Sequence, residues 1–226
     1  MNVSDDVSTV LFDLDGTLVD HEAAARAGAV TLARHRGLAE PEEQWRRWHT
    51  IERQWFTRFE LGAITHTQQR VARCREFLGE PGLSDAEALG VYETYLAAYR
   101  AAWRAYDDAH DALTRASDSG RAVGVFTNGV REMQQAKLEC TGLDDERITL
   151  LPTVELGAAK PAPESYRLAA EAMGVGKPPQ VLMIGDSWAN DVAGPLAVGW
   201  RATYLTRAGL PREGAPNVTT LADVRF

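Results

Sequence analysis

Cysteine is scarce in this chain of 226 residues: only Cys74 and Cys140 occur, in no paired spacing. That excludes a disulfide framework or a cysteine-built zinc site and fits a reducing compartment. Both cysteines read as helix packing residues. No stretch reaches the ~18–20 consecutive apolar residues that a membrane helix needs. The opening segment, MNVSDDVSTV, has neither a basic region nor a long apolar run, so no signal peptide is expected and a cytoplasmic setting is. Positive charge is outnumbered, with 24 Lys and Arg against 32 Asp and Glu and a formal net charge of -8. Nucleic acid and anionic lipid are therefore poor partners. An anionic substrate would need local help, from a cation or from aimed N–H groups. The histidines show no ligand spacing, and His21, His49 and His66 are expected at the surface. Internal repeats and low-complexity segments are absent too.

What is present is an apolar strand followed by a long helical block and then a regular alternation. Thr9 to Phe12 reads as a buried strand. From His21 to about Arg104 helical spacing dominates. Pro41, Glu42 and Glu43 suit a helix start, and Gly62 suits its end. Trp45, Trp48, Trp55, Phe56 and Phe59 recur at three- and four-residue steps, and are expected on one side of that helix as core. A second helix runs through THTQQRVARCREFLG, with Val71, Cys74, Phe77 and Leu78 as its apolar stripe. A third starts near Ser84, whose Glu87 completes a capping box, and continues to about Trp103. After Asp107, AVGVFTNG, QVLMIGD and RATYLT read as strands, and ITLLPTVE contains another short one. DALTRASDSG, REMQQAKLECTGL, APESYRLAAEAMGV and ANDVAGPLAVG read as helices between them. Fully apolar strands in such an alternation predict a parallel sheet covered on both faces. The fold class is α/β, a Rossmann-like doubly wound core (residues 1–17 and 108–226) with an all-helical insertion (residues 18–107).

The polar residues at the carboxyl ends of the strands carry the chemistry, since ligands of open parallel sheets bind there. The first strand ends in Asp13 and Asp15. The second ends in Thr127, Asn128 and Gly129. The loop after the third holds Lys160, in ELGAAKPAPE. The fourth ends in Gly185, Asp186 and Ser187, with Asp191 shortly after. Each cluster alone has a plainer reading: an Asp-Gly turn, a helix cap, a surface lysine, an acid at a helix start. Trp188 is expected to pack near the mouth of the site.

In that order, DLDGT, TNG, KP and GDSWAND resemble the four signatures of the haloacid dehalogenase superfamily of phosphohydrolases, and the helical insertion after DLDGT is similar to that family's C1 cap. The resemblance covers nearly the whole core. It implies a phosphatase in which Asp13 is the nucleophile that forms an aspartyl-phosphate and also binds the metal. It implies that Asp15 protonates the leaving alcohol and then activates water, its backbone carbonyl serving as a further metal ligand. Thr127, Asn128 and Gly129 would hold the phosphoryl oxygens, Lys160 would neutralise charge, Asp186 would bind magnesium, and Asp191 would act behind these, through water or by orienting Lys160.

A physical argument runs beside the resemblance. Residues two apart on a strand point the same way, so Asp13 and Asp15 face one site. Like charges that close resist joint ionisation. A divalent cation relieves this, and magnesium suits a few carboxylates plus phosphate and water; protonating one carboxylate is the other remedy. The expected partner is a small phosphate ester, with monomer and dimer both open. A phosphomutase, a 2-haloacid dehalogenase and a non-catalytic binding protein remain alternatives, and Asp15 argues against the dehalogenase.

Overall fold

The computed structural model describes residues 1–207 and 209–226. The chain forms β1 (Thr9–Phe12), then four helices, α1 (His21–His35), α2 (Gln44–Glu60), α3 (His66–Leu78) and α4 (Asp85–Ala101). It continues through α5 (Ala109–Asp118), β2 (Ala122–Thr127), α6 (Arg131–Thr141), β3 (Ile148–Pro152), α7 (Thr153–Leu156), α8 (Pro163–Ala172), β4 (Val181–Gly185), α9 (Gly194–Ala197), β5 (Arg201–Leu205) and the short β6 (Asn217–Val218). Two compact units result: Met1–Asp20 with Arg104–Phe226, and His21–Trp103.

In the α/β unit the sheet order is β3-β2-β1-β4-β5-β6, and all pairings are parallel. The order reverses at β1, which lies between β2 and β4. Alternate residues feed two separate cores. Val10, Phe12, Val123, Val125, Leu182 and Ile184 pack with Ala109 and Leu113 of α5. Leu11, Phe126, Val181 and Met183 pack with Tyr166 of α8 and Trp200. Both faces are thus covered, which is why these strands carry so little polarity. Register aligns Phe12 with Val125 and with Ile184, so Asp13 leaves the sheet level with the ends of its two neighbours.

The strand and helix expectations after Asp107 hold with three refinements, the first being that ITLLPTVE is strand only as far as Pro152 and turns into the one-turn α7 at Thr153. The segment expected as one helix over ANDVAGPLAVG begins with a wide π-helical turn, Trp188–Ala193, before α9. In addition, β6 joins the sheet edge as two residues too short to leave a periodic signal. Cys140 is exposed rather than packed, whereas Cys74 is buried.

The helical unit is built on α1 against α4 and on α3 against α2 and α4. Gly28 lets α1 approach closely, because a Cβ there would lie 2.7 Å from the Tyr95 ring. Ser84 and Glu87 form the expected capping box of α4, and Thr65 with Gln68 forms a second one on α3. The α2 stripe differs from expectation: Trp48 is buried, while Trp45, Trp55, Phe56 and Phe59 are only half-buried. The helix drifts past its contact line, and the outer rings find local partners. Trp55 donates to Glu76 Oε2 at 2.6 Å and lies under Arg58, and Trp45 packs at a tilt against His49. Beneath Trp48 lies a buried cation: Arg73 pairs with Glu52, donates to Gln69 Oε1 at 3.0 Å, and lies over the Trp48, Tyr92 and Tyr95 rings.

His49 is exposed as expected, but His21 and His66 are half-buried. His21 Nδ1 sits 2.9 Å from Tyr99 Oη. His66 packs on Phe59; burial, then the Arg70 and Arg73 charges, lower its pKa to about 4. It stays neutral in the fold while an unfolded chain binds a proton near pH 6.5, so stability falls as pH drops from 6.5 toward 4. His66→Gln is expected to flatten that difference, as read by urea melts of both proteins across the range. Arg73→Leu strands the Glu52 carboxylate and is expected to cost about 3–5 kcal/mol in denaturant unfolding, partly recovered by adding Glu52→Leu.

Candidate active site

Four chain segments reach one point at the carboxyl edge of the sheet. Lys160 Nζ donates to Asp13 Oδ1 at 2.9 Å, to Asp191 Oδ1 at 2.7 Å and to the Phe126 carbonyl at 2.8 Å. The ammonium is 1 % exposed, so its three protons are matched to three protein acceptors. Carboxylate oxygens of Asp13, Asp186 and Asp191 lie within 4.8 Å of one another. Residues far apart along the chain, 13, 160, 186 and 191, are thereby gathered in one cluster.

Local sequence explains how each arm is aimed. Asn128, at the end of β2, grips the backbone of Lys160 on both sides: its Nδ2 donates to the Lys160 carbonyl and its Oδ1 accepts from the Lys160 N–H, each at 2.9 Å. The side chain of Asn128 therefore fixes the lysine loop, a role that the strand-end reading does not supply. Asp191 is brought back over Gly185 by the π-helical turn, and its Oδ2 accepts the Ser187 N–H at 3.0 Å. Such turns are frequent at functional sites. Thr17 receives no role from the sequence, although it stands within DLDGT. Its hydroxyl accepts the Asp186 N–H at 3.1 Å and lies 3.4 Å from Asp186 Oδ1. Trp188 packs edge-on against Tyr204.

Asp15 has partners of its own on α6. Lys137 Nζ on α6 reaches its two carboxylate oxygens at 2.6 and 2.7 Å, and Gln134 Nε2 approaches Oδ2 at 3.3 Å. Gln134 Nε2 also donates to Thr127 Oγ1 at 2.7 Å. Because Thr127 accepts there, its own proton can be donated elsewhere. Neither Lys137 nor Gln134 is marked by any pattern in the sequence beyond a helix.

The electrostatics are strained. Burial raises the Asp13 carboxyl well above its usual range, with Asp191 and Asp186 adding to the rise and Lys160 opposing it. Burial, then Asp191, raises Asp186 to about 7, again against Lys160. Burial alone would lower Lys160, but Asp13 and Asp191 raise it above the ordinary lysine range. One ammonium therefore does not compensate the carboxylates gathered here. Asp191 is committed to Lys160 and the Ser187 N–H, which leaves Asp13 and Asp186 as hard oxygen donors that fit a small divalent cation.

A family model described as haloacid dehalogenase-like hydrolase matches residues 7–199. A ribulose-1,5-bisphosphate 5-phosphatase of Halopiger xanaduensis is 30% identical over 236 residues, covering 96% of this chain and 97% of that protein. An (S)-2-haloacid dehalogenase of Burkholderia cepacia is 27% identical over 210 residues, covering 92% and 87%. The magnesium-bound crystal structure of a putative HAD-hydrolase from Bacillus subtilis superposes with a TM-score of 0.79 at 22% identity, covering 96% of each chain, a likeness of fold.

Gly16 is the point where this geometry is least tolerant. Its φ is +90°, and a Cβ would lie 2.3 Å from Asp186 Oδ2. Gly16→Ala is expected to cost about 1–3 kcal/mol in thermal or urea unfolding from the backbone alone. A crystal structure of the variant is expected to show the Asp186 carboxylate turned away from Asp13.

Proposed function

The chain belongs to the haloacid dehalogenase-like hydrolase family, as a phosphatase-type enzyme, and from that premise we propose that it hydrolyses monoesters of a small phosphorylated metabolite with magnesium bound. The observation that carries this reading is Asp15. Halide departs without a proton, so a dehalogenase has no need of an acid beside its nucleophile. An alkoxide leaving group does need one, and Asp15 supplies a second carboxylate two residues from Asp13.

In the first step an Asp13 oxygen attacks phosphorus and the bond from phosphorus to the alcohol oxygen breaks. The departing oxygen takes its electron pair and a proton from Asp15, and an aspartyl-phosphate remains. In the second step Asp15, now a carboxylate, takes a proton from water as the water oxygen attacks phosphorus, and the bond to Asp13 breaks. Lys160 fixes the Asp13 carboxylate by its 2.9 Å contact and carries positive charge toward the transferring group. Thr127 donates its hydroxyl proton to a phosphoryl oxygen, with N–H groups of Asn128 and Gly129 beside it. Asp191 orients Lys160. Asp13, Asp186 and the Asp15 carbonyl would hold magnesium, which supplies neutralisation of the phosphoryl charge and of the crowded acids. Phosphate monoesters are among the slowest uncatalysed reactions, so fixed charge and positioning carry most of the acceleration. The helical unit, inserted in the chain between β1 and α5, is proposed to choose the ester, and the setting is proposed to be the cytosol.

Purified protein is expected to hydrolyse p-nitrophenyl phosphate with magnesium and to stop on addition of EDTA. Asp13→Asn is expected to lose at least about 10³-fold in kcat, as removal of a nucleophile does. Halide release from 2-chloropropionate, with no phosphate released from a panel of esters, would overturn the reading.

A further inference from the structure

Lys137 is an unusual residue for the surface of a helix. Its side chain is 3 % exposed, and its ammonium meets both oxygens of Asp15. Burying an ammonium is costly unless a partner is fixed opposite it. Gln134, one helical turn earlier, is buried as well and faces the same way. Its Nε2 lies within reach of three acceptors: Thr127 Oγ1 at 2.7 Å, Asp15 Oδ2 at 3.3 Å and the Asn128 carbonyl at 3.3 Å. Among the described residues its Oε1 has no hydrogen-bond partner. The amide therefore spends its capacity on the nitrogen side, toward the reacting groups, which also fixes which end of the amide is which. Gly129 makes room for it, since a Cβ there would come 2.9 Å from Gln134 Nε2.

None of this is needed to close the α/β core. Leu138 of the same helix already packs into that core. The two polar residues instead converge on one carboxylate and on the hydroxyl beside it. Asp13 and Asp15 are thus served by separate cations from separate elements, Lys160 from the loop after α7 and Lys137 from α6.

We propose that Lys137 and Gln134 are positioning residues that hold the Asp15 carboxyl group in place for proton transfer to the leaving alcohol and from the incoming water. Lys137 fixes the direction of the carboxyl group, and Gln134 ties that direction to Thr127, so that proton donor and phosphoryl-binding hydroxyl move as one piece. This rests on the phosphatase reading above, in which Asp15 is the acid and base. It adds two residues on α6 that act through Asp15 and do not touch substrate.

The test compares wild type, Lys137→Met, Lys137→Arg and Gln134→Leu. Methionine keeps the buried stem and removes the charge. With magnesium present, Lys137→Met is expected to lower kcat roughly 10–100-fold on an alkyl phosphate, the scale of a misplaced catalytic group, with KM within about threefold. On p-nitrophenyl phosphate, whose leaving group needs no proton, the first turnover is expected to stay fast, giving a burst of nitrophenolate before a slow steady state. Lys137→Arg is expected to restore part of the alkyl-phosphate rate, and Gln134→Leu to give a smaller loss of the same kind. A loss that falls on KM, or equally on both esters without a burst, would overturn the proposal in favour of direct phosphate binding or simple structural support. Crystal structures of wild type and Lys137→Met provide a readout independent of turnover: Asp15 should be displaced from Thr127 in the variant, and an unmoved Asp15 overturns the proposal. Wild type inert toward every ester would sink the phosphatase reading alone, with the crystallographic comparison still deciding whether Lys137 holds Asp15. Should Lys137→Met not fold, Gln134→Leu carries the same comparison.

Discussion

The acid cluster of Asp13 and Asp191 at the carboxyl edge of the sheet depends on one buried ammonium. Lys160 is held among Asp13, Asp191 and the Phe126 carbonyl, and without it two acids with little contact to water would face each other unscreened. At interior dielectric a charge repulsion at such range runs to several kcal/mol. The lysine is not left to find its place by its own flexible stem. Asn128 clasps its backbone from β2, and the Asp191 carboxylate is itself held by the Ser187 N–H. Three elements are therefore locked together around one charge. The sheet supplies the rigidity, because β1, β2 and β4 are adjacent and in register.

The two acids that follow β1 have different surroundings, and this suits the different tasks proposed for them. Asp13 is almost dry and shares Lys160 with Asp191, and burial pushes its carboxyl group upward. Asp15 is partly open to water and is paired with Lys137. A nucleophile gains from being fixed and stripped of water, whereas a group that passes protons to alcohol and from water needs access to both. The same dipeptide spacing thus yields two environments, because the neighbouring residues come from opposite sides: the loop before α8 for one, and α6 for the other.

The parallel sheet and the ordered polar clusters were legible because both leave periodic or punctuating signals. Apolar strands announce themselves, and each ended in residues that a core rejects. Lys137 and Gln134 were illegible for the complementary reason. On paper they are ordinary polar residues in REMQQAKLECTGL, and only the approach of α6 to the end of β1 shows that they face inward. Thr17 was hidden in a motif whose acids drew the reading. The π-helical turn at Trp188 has no compositional mark, since it follows from Asp191 folding back over Gly185. The aromatic stripe of α2 misled in the other direction. Regular spacing placed Trp45, Trp55, Phe56 and Phe59 in a core, yet a helix rotates its face past a single contact line, and rings at its margins pair with Glu76, Arg58 and His49 instead.

Close approach also explains why glycines stand within the motifs. A Cβ at Gly185 would lie 2.4 Å from the Asp191 carboxyl carbon, and one at Gly16 would lie 2.3 Å from Asp186. Each glycine therefore admits a carboxylate into space that a side chain would occupy. The fold accepts this crowding of like charge because its apolar strands and two separate cores, one on each face, hold the backbone regardless. Stability comes from the sheet, and the energetic cost is concentrated at its edge, where crowded acids and buried lysines make a poor core but a preorganised site. Relieving that crowding with smaller or neutral residues would favour the fold and remove the reason for the lysines to be there.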